Sequence, residues 1–420
     1  MVKNQESKIP QFYDILDEEL DKTNEIFNVV YNLAKVNGFI NVETTKFELQ
    51  ERYLSATKVS STKIFEVVRP KEKSKFSLQS DLAMSMSRFI ADNSDYNNVI
   101  KLIQNGIVFR DRVDNIPGYR REFRQILLGT WGGRSQYYDA EIIGISYKAL
   151  SKFDVQISKI QLSNHDLYNV IKANAAEEIR FSRKKGMDHL KGYLSNIDIQ
   201  LIDYLYANND LSVEKVRDIS NALENENARK EILKLIKISE LLENYFELSE
   251  NIVFSFGNLD GTNHYSGTNY RIYIKNDEQD DILIADGGRI DNMTQKFNKN
   301  KNFPGVCMGI GVQILNNHME YKNKNKNIKV LVDEDNLEAI DLIKKIELHS
   351  AFDYSIYPFK INKAKSFLKS KFYETDDFII VRDNIFHLKF NDLTKKKIII
   401  TEFERLGIKY EIQQVRSKNQ

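Results

Sequence analysis

Between Glu18 and Lys35 the apolar residues Leu20, Ile26, Phe27, Val30, Leu33 and Ala34 fall mostly three or four positions apart. That spacing lines one face of a helix, and Gly38 supplies its stop. The pattern then changes. "FINVETTKFEL", from Phe39 to Leu49, alternates apolar and polar side chains as a half-buried strand does, and "KFSLQSDLAMSMSRFIADN" predicts a short strand running into a helix. "NGIVF" and "REFRQILLGTW" are β-rich runs on either side of a polar loop with Pro117-Gly118, which predicts a long hairpin. "DAEIIGISYKALSKF" returns to helical spacing and "VQISKIQLS" to a strand.

From about residue 164 to 248 the chain is dense in Glu, Lys, Leu and Ile with almost no Gly or Pro, so it predicts a helical insertion. After Asn251 come "IVFSFG", "YRIYI", "DILIADGG" and "VCMGIGVQIL", the first three read as neighbouring strands of a meander. "NHMEYKNKNKNIK" has linker composition. Beyond it "IKVLV", "NLEAIDLIKKIE", "FIIV", "LTKKKIIITEFERLG" and "IKYEI" alternate strand and helix. The predicted organisation is a core over residues 1–320 and a small α/β domain over 326–420, with no repeat of fixed period.

At 420 residues and 41% hydrophobic content the chain has enough apolar material for two or three domain cores. Lys plus Arg total 61 against 60 acidic residues, so any basic function has to be local. Cys307 is the only cysteine, which excludes an intramolecular disulfide, and the six histidines are too dispersed for a paired metal-ligand spacing, so no metal site is expected. No apolar run approaches the ~18 residues of a membrane span or forms a leader at "MVKNQESKIPQFYD". The expectation is a cytoplasmic protein with no membrane contact.

Local basicity is found in "VFRDRVDNIPGYRREFRQI", Val108 to Ile126. A period of two puts Arg121, Phe123 and Gln125 on one strand face, with Arg110 opposite, while Arg120 and Arg124 are expected to point outward. Such a face offers guanidiniums, a ring and an amide to one ligand, and arginine suits planar recognition of phosphate or carboxylate. Two other readings stay open: a solvated hairpin with arginines paired to Asp111, Asp114 and Glu122, and a patch touching RNA phosphates.

"FRDR…PGYRREFRQ" resembles motif 2 of a class II aminoacyl-tRNA synthetase, in the form carried by histidyl-tRNA synthetases and by the regulatory subunit of short-form ATP phosphoribosyltransferase. The likeness continues in order over residues 10 to 320. "FYDILDEEL" is similar to the family's opening, "GFINVETTKFEL" to the motif 1 dimer strand with Thr45 in place of its proline, and "FSLQSDLAMSMSR" to the "L-R-P-D/E-x-T" stretch. "HYSGTNYR" resembles the "Y-Y-T-G-x-x-F-E" signature, "DGGRIDNM" the "G-G-R-Y-D-x-L" that follows, and "PGVCMGIGVQIL" the glycine-rich motif 3.

The resemblance implies an α+β fold: a class II synthetase-like antiparallel sheet core with a helical insertion, plus a C-terminal α/β domain similar to an anticodon-binding domain. It implies that Arg110 holds a carboxylate or α-phosphate, Arg121 the outer phosphates, Gln125 an amino acid and Asp81 its ammonium, with His264, Tyr265, Gly287, Gly288 and Arg289 completing a histidine or nucleotide site. Two cations of the family pattern are replaced: its catalytic arginine aligns on Asp260, and the motif 3 arginine on Ile314. Losing one such stabiliser commonly costs on the order of 10²-fold in rate. No catalytic residue and no required cofactor is therefore expected, histidine or ATP being the ligands the resemblance suggests.

Three functions follow as expectations. The first is a non-catalytic, histidine-sensing regulatory subunit of ATP phosphoribosyltransferase in the first step of histidine biosynthesis, partnered with the short catalytic subunit and homodimeric in its core. The second is a diverged histidyl-tRNA synthetase-like ligase that activates an amino acid with ATP. The third is an RNA-binding or stress-sensing paralogue; the lysines 395 to 397 are expected to form a solvated helix face, and tRNA is not expected as a partner.

Overall fold

A sheet of eight strands organises the first part of the chain, in the order β1 (Ile40–Asn41), β5 (Ile100–Phe109), β6 (Glu122–Trp131), β11 (Gly305–Gly311), β10 (Asp281–Arg289), β9 (Thr268–Lys275), β7 (Ile157–Asn164) and β8 (Ile252–Phe254). Neighbours from β5 to β7 are antiparallel, and the two short edge strands are parallel to theirs. A computed structural model provides this view; it describes residues 11–16, 18–56, 63–68, 75–93, 98–111, 120–181, 186–248, 250–259, 265–319, 327–333, 336–347, 350, 352–358, 377–382, 385–390 and 393–412. The loop with Pro117-Gly118, Asp114, Asp260, His264 and most of the linker stretch lie outside the described residues.

Two layers of side chains flank the sheet. On one face Ile103, Ile126, Leu128, Ile160, Ile272 and Ile310 pack with buried residues of three long helices, α1 (Glu18–Val36), α4 (Gln136–Leu150) and α9 (Glu226–Phe246). Helix α1 stops where the sequence says it must: Gly38 adopts φ +83°, and the amides of Gly38 and Phe39 return to the carbonyls of Lys35 and Ala34. Helix α4 is covered almost all round, its buried Asp139 and Glu141 ion-paired with Arg289 and Lys101. On the opposite face α3 (Leu82–Asn93) lies near the β5–β6 hairpin, and its first residue fits over Gly106, where a Cβ would meet Leu82 Cδ2 at 2.6 Å. A small three-stranded sheet, β2 (Phe47–Leu49), β4 (Phe76–Leu78) and β3 (Glu66–Val67), accompanies it.

The run read as one strand, Phe39 to Leu49, is divided between two sheets, β1 in the large one and β2 in the small. The meander expectation also needs correction. Strand β8 pairs in parallel with β7 at the sheet edge, and β9 instead lies between β7 and β10; the meander is β9–β10–β11. Between β7 and β8 the described residues are mainly helical, with α7 (Asn196–Ala207) and α8 (Val213–Ala222) among the helices, started by Ser195 and Ser212, whose hydroxyls accept the amides of Asp198 and Lys215.

The chain divides into two compact units, Met1–Tyr321 and Lys322–Gln420. In the second, the strands Asp353–Pro358, Asn327–Val332, Phe378–Arg382, Ile385–Lys389 and Tyr410–Ile412 form one mixed sheet in that order. Ile328, Val330, Ile379 and Phe386 pack there with Ile343 and Phe403 of helices Leu337–Glu347 and Leu393–Leu406. Lys395 is not on a solvated face: its ammonium lies 3.2 Å from the buried Asp377 carboxylate.

Candidate ligand site

Register decides what the free face of the large sheet presents. Residues directly opposite one another share a face, so Gln104, Leu127, Gly309, Asp286, Arg271 and Gln161 form one continuous row across six strands. The next row runs Leu102, Gly129, Cys307, Gly288, Asn269 and Ser163. Glycines floor the centre, and larger side chains settle into the room they leave. Gln125 lies on Gly309, where a Cβ would meet its Nε2 at 2.2 Å, and the Tyr265 ring lies on Gly288, where a Cβ would meet Cδ1 at 2.8 Å. Gly287 allows close approach of β11, since its Cβ would meet the Cys307 carbonyl at 2.3 Å.

Asp81 and Arg110 meet above this floor. The turn before α3 is pinned by the Tyr53 hydroxyl, which accepts the amides of Ser80 at 3.0 Å and Asp81 at 3.1 Å. Burial, helped by Asp81, pushes that phenol well above its ordinary pKa, so it stays neutral. One Asp81 oxygen accepts the Ala83 amide at 2.7 Å and the other accepts Arg110 Nη2 at 3.0 Å. Arg110 Nε donates to the Ser80 carbonyl at 2.6 Å, and the guanidinium lies over Phe123, 5.5 Å from the ring centroid.

Tyr265 donates to Asp286 Oδ2 at 3.2 Å, and Arg271 Nε lies 3.5 Å from Asp286 Oδ1. Burial raises the Tyr265 hydroxyl well above its usual value, with Asp286, Cys307 and Asp81 adding to it. Burial likewise raises Asp286, against the pull of Arg271. Two carboxylates thus act on one phenol, and the Gln125 Oε1 is buried without a hydrogen-bond partner among the described residues. A group that supplies N–H donors and positive charge fits this arrangement, with Arg110 at its rim for a carboxylate.

Asp81, Arg110, Gln125, Tyr265 and Gly288 therefore share one site, whereas Gly287, opposite Met308 and Tyr270, belongs to the helix-packed face and does not line it. Arg121 stands at the hairpin rim, its Nε 2.9 Å from Asp111 Oδ1. Arg120 does not point outward: it pairs with Glu19 at 2.7 Å and covers the Tyr13 ring. Arg289 is placed differently from the expected ligand role. It is buried, with Nε 3.1 and 3.0 Å from the two Asp139 oxygens, Nη1 2.7 Å from the Gly133 carbonyl and Nη2 2.6 Å from the Ser135 carbonyl, besides a further bond to Asp139. It ties β10 to the start of α4.

Sequence reasoning missed Asp286, Arg271 and Tyr53. Asp286 directly precedes the Gly-Gly-Arg run, and Arg271 stands where the quoted signature has its glutamate; both signals were present in the string. Among the described residues no group of acidic, His and Cys side chains could hold a metal ion, and no helix is long and apolar enough to cross a membrane. A separate cavity of about 670 Å³ opens between β7 and the helical insertion, lined in part by Lys159, Gln161, Asn209 and Asp210. Its lysine is held by Asp210 at 2.8 Å and Asp281 at 3.0 Å.

A family profile described as histidyl-tRNA synthetase matches residues 11–312. A histidine–tRNA ligase of Clostridium acetobutylicum is 29% identical over 332 residues, covering 73% of this chain and 74% of the relative. An ATP phosphoribosyltransferase regulatory subunit of Caldanaerobacter subterraneus subsp. tengcongensis is 22% identical over 332 residues, covering 75% and 83%. A solved structure described as an ATP phosphoribosyltransferase regulatory subunit/histidyl-tRNA synthetase from Bacillus halodurans C superposes with a TM-score of 0.68 at 18% identity, over 84% of this chain and 93% of that one. The histidyl-tRNA synthetase of Nostoc sp. PCC 7120 gives 0.65 at 16% identity, over 90% and 91%.

Proposed function

Because the chain belongs to the histidyl-tRNA synthetase family, we propose that it is a non-catalytic member: an amino-acid-sensing regulatory subunit of a short-form ATP phosphoribosyltransferase, acting at the first step of histidine biosynthesis. The observation that carries this reading is what has become of the cations. Of the arginines that the motifs assign to nucleotide phosphates, Arg110 is paired with Asp81 and Arg121 with Asp111, while the motif 3 position is the aliphatic Ile314, half-buried in α11 (Val312–His318) beside Gly311. Charge developing on an α-phosphate needs preorganised positive groups at the reacting centre, and cations held elsewhere do not substitute for them. The amino-acid part of the site keeps Asp81, Gln125 and Tyr265, while Arg271 takes the place of the signature's glutamate and pairs with Asp286.

Such a pocket binds without reacting, which is what a sensor requires. A second copy of the chain is the expected partner for the motif 1 region, and the exposed Ile40 and Phe47 support that assembly. The test is co-expression with a short ATP phosphoribosyltransferase from the same source, followed by assay of phosphoribosyl transfer with and without added amino acids. Activity that needs both chains and falls with an amino acid is the expected result. Absence of a complex together with no gain in activity would remove the regulatory reading in favour of a diverged ligase.

A further inference from the structure

Trp131 decides how large a ligand side chain the site can hold. It is the last residue of β6 and shares a face with Gly129, so its indole folds back over that glycine: a Cβ on Gly129 would meet Trp131 Cη2 at 2.4 Å and Cζ3 at 2.6 Å. The same ring reaches Gly305 on β11, whose Cβ would lie 3.0 Å from Cδ1, and its Nε1 donates to Ser87 Oγ of α3 at 3.3 Å. Trp131 is fully buried, and it packs in one cluster with Leu82, Met84, Leu102, Leu127 and Cys307, against which Tyr265 and Phe123 lie. Gly129 is one register step from Cys307, and Cys307 one step from Gly288 beneath the Tyr265 ring. The volume beyond Tyr265, between the sheet and α3, is therefore already filled.

On the other side the row continues from Asp286 to Arg271, whose side chain is 11% exposed and ion-paired with Asp286, and only then to Gln161 at the separate cavity. Both directions in which a ring-sized side chain could extend across the floor are occupied.

Resting on the amino-acid-sensing reading above, we infer that this pocket takes an α-amino acid with a small side chain, of glycine, alanine or serine size, and that Trp131 excludes an imidazole or larger ring. The ammonium goes to Asp81 and Asp286 and the carboxylate to Arg110. A zwitterion entering there separates the Asp81–Arg110 ion pair and restores a partner to each, so neither charge is left uncompensated. A side chain that needed the Trp131 volume would have to displace packed core, which costs more than a single methylene and discriminates by about tenfold or more.

The experiment is calorimetric titration of the full chain with glycine, alanine, serine, histidine and phenylalanine, repeated on Trp131→Leu, which keeps an apolar core residue but uncovers Gly129. The expected result is affinity for at least one small amino acid about tenfold or more above that for histidine, with the ratio narrowing in Trp131→Leu. Should Trp131→Leu not fold, the wild-type ranking alone decides. Histidine binding to the wild type as tightly as any small amino acid overturns the inference and leaves the sensing reading standing. No heat from any amino acid, with wild type or variant, overturns both, and the assembly with the phosphoribosyltransferase is then judged by the co-expression alone.

Discussion

Replacing Arg289 by Met separates a structural brace from a ligand-binding arginine. The substitution takes every Arg289 donor from the buried Asp139, which keeps the Thr268 hydroxyl at 2.9 Å, and removes the guanidinium from the Gly133 carbonyl and from the Ser135 carbonyl, the latter still accepting the Tyr138 amide at 3.2 Å. Removing one partner of a buried ion pair costs about 3–5 kcal/mol, because the remaining charge is uncompensated. That is a large share of the ~5–15 kcal/mol that holds a native domain together. For a unit of this size it corresponds to a fall of about 10 °C in Tm. The assay is urea unfolding followed by tryptophan fluorescence. Trp131 is the only tryptophan in the chain and is buried in the first unit, so unfolding of the second unit is silent. In Arg289→Met/Asp139→Asn the buried carboxylate is neutralised, only the partly exposed Asp291, 3.7 Å from the Arg289 guanidinium in the wild type, still lacking that cation, and at least about half of the loss should return. A loss below about 1 kcal/mol in Arg289→Met, accompanied by loss of ligand binding, would refute the brace and restore the sequence-based role.

The cation losses predict no histidine-dependent ATP–pyrophosphate exchange above background, and measurable exchange would return the chain to the ligases. Burial pushes the Cys307 thiol well above its usual pKa, so native protein should stay unmodified by a disulfide reagent over the time in which urea-unfolded chain reacts fully; rapid stoichiometric reaction would show an accessible thiol. Asp281 is held well below the usual carboxylate range, first by Lys275 and then by Ser158 and Lys159, though burial opposes this. A depressed acid contributes stability above its unfolded pKa and loses it as pH falls through the folded one. Asp281→Asn should therefore be less stable than wild type at neutral pH, by under about 1 kcal/mol for so accessible a pair, and the difference should hold down to about pH 5 and narrow progressively below about pH 4. A gap that does not narrow at all between about pH 5 and pH 2 would place the effect outside ionisation.

The elements that were legible in the sequence are those that alternate between core and a more exposed side: α1, with its stripe and Gly38, and the outer half of β5 from Gln104 to Phe109, with the polar loop that closes its hairpin. What escaped is information carried by pairing. Nothing in "IVFSFG" says that it lies against β7 instead of β9, because a parallel edge strand and a meander strand read alike. "DYSIYP" and "IFHLK" are too short and polar to mark themselves as strands, yet each joins the second sheet. The site divides the same way. Asp81, Arg110, Gln125 and Tyr265 were named from motifs and do meet, whereas Asp286 and Arg271 become neighbours only through register. Arg289 shows the converse: a motif gives the residue type, and the direction of its guanidinium is set by a buried carboxylate 150 residues away in the chain.

The parallel pairing of β7 with β8 has a topological consequence for the helices between them. Antiparallel neighbours can be joined by two residues, but parallel neighbours require a crossover of about a dozen residues or more. The helical segment is thus the connection itself, and it could not be excised and replaced by a tight turn without reversing β8. Its length is free to vary among relatives only down to that crossover minimum. Pairing of β8 with β7 must also wait during synthesis until the whole excursion has emerged, whereas β5 and β6 can pair as soon as their short loop is complete.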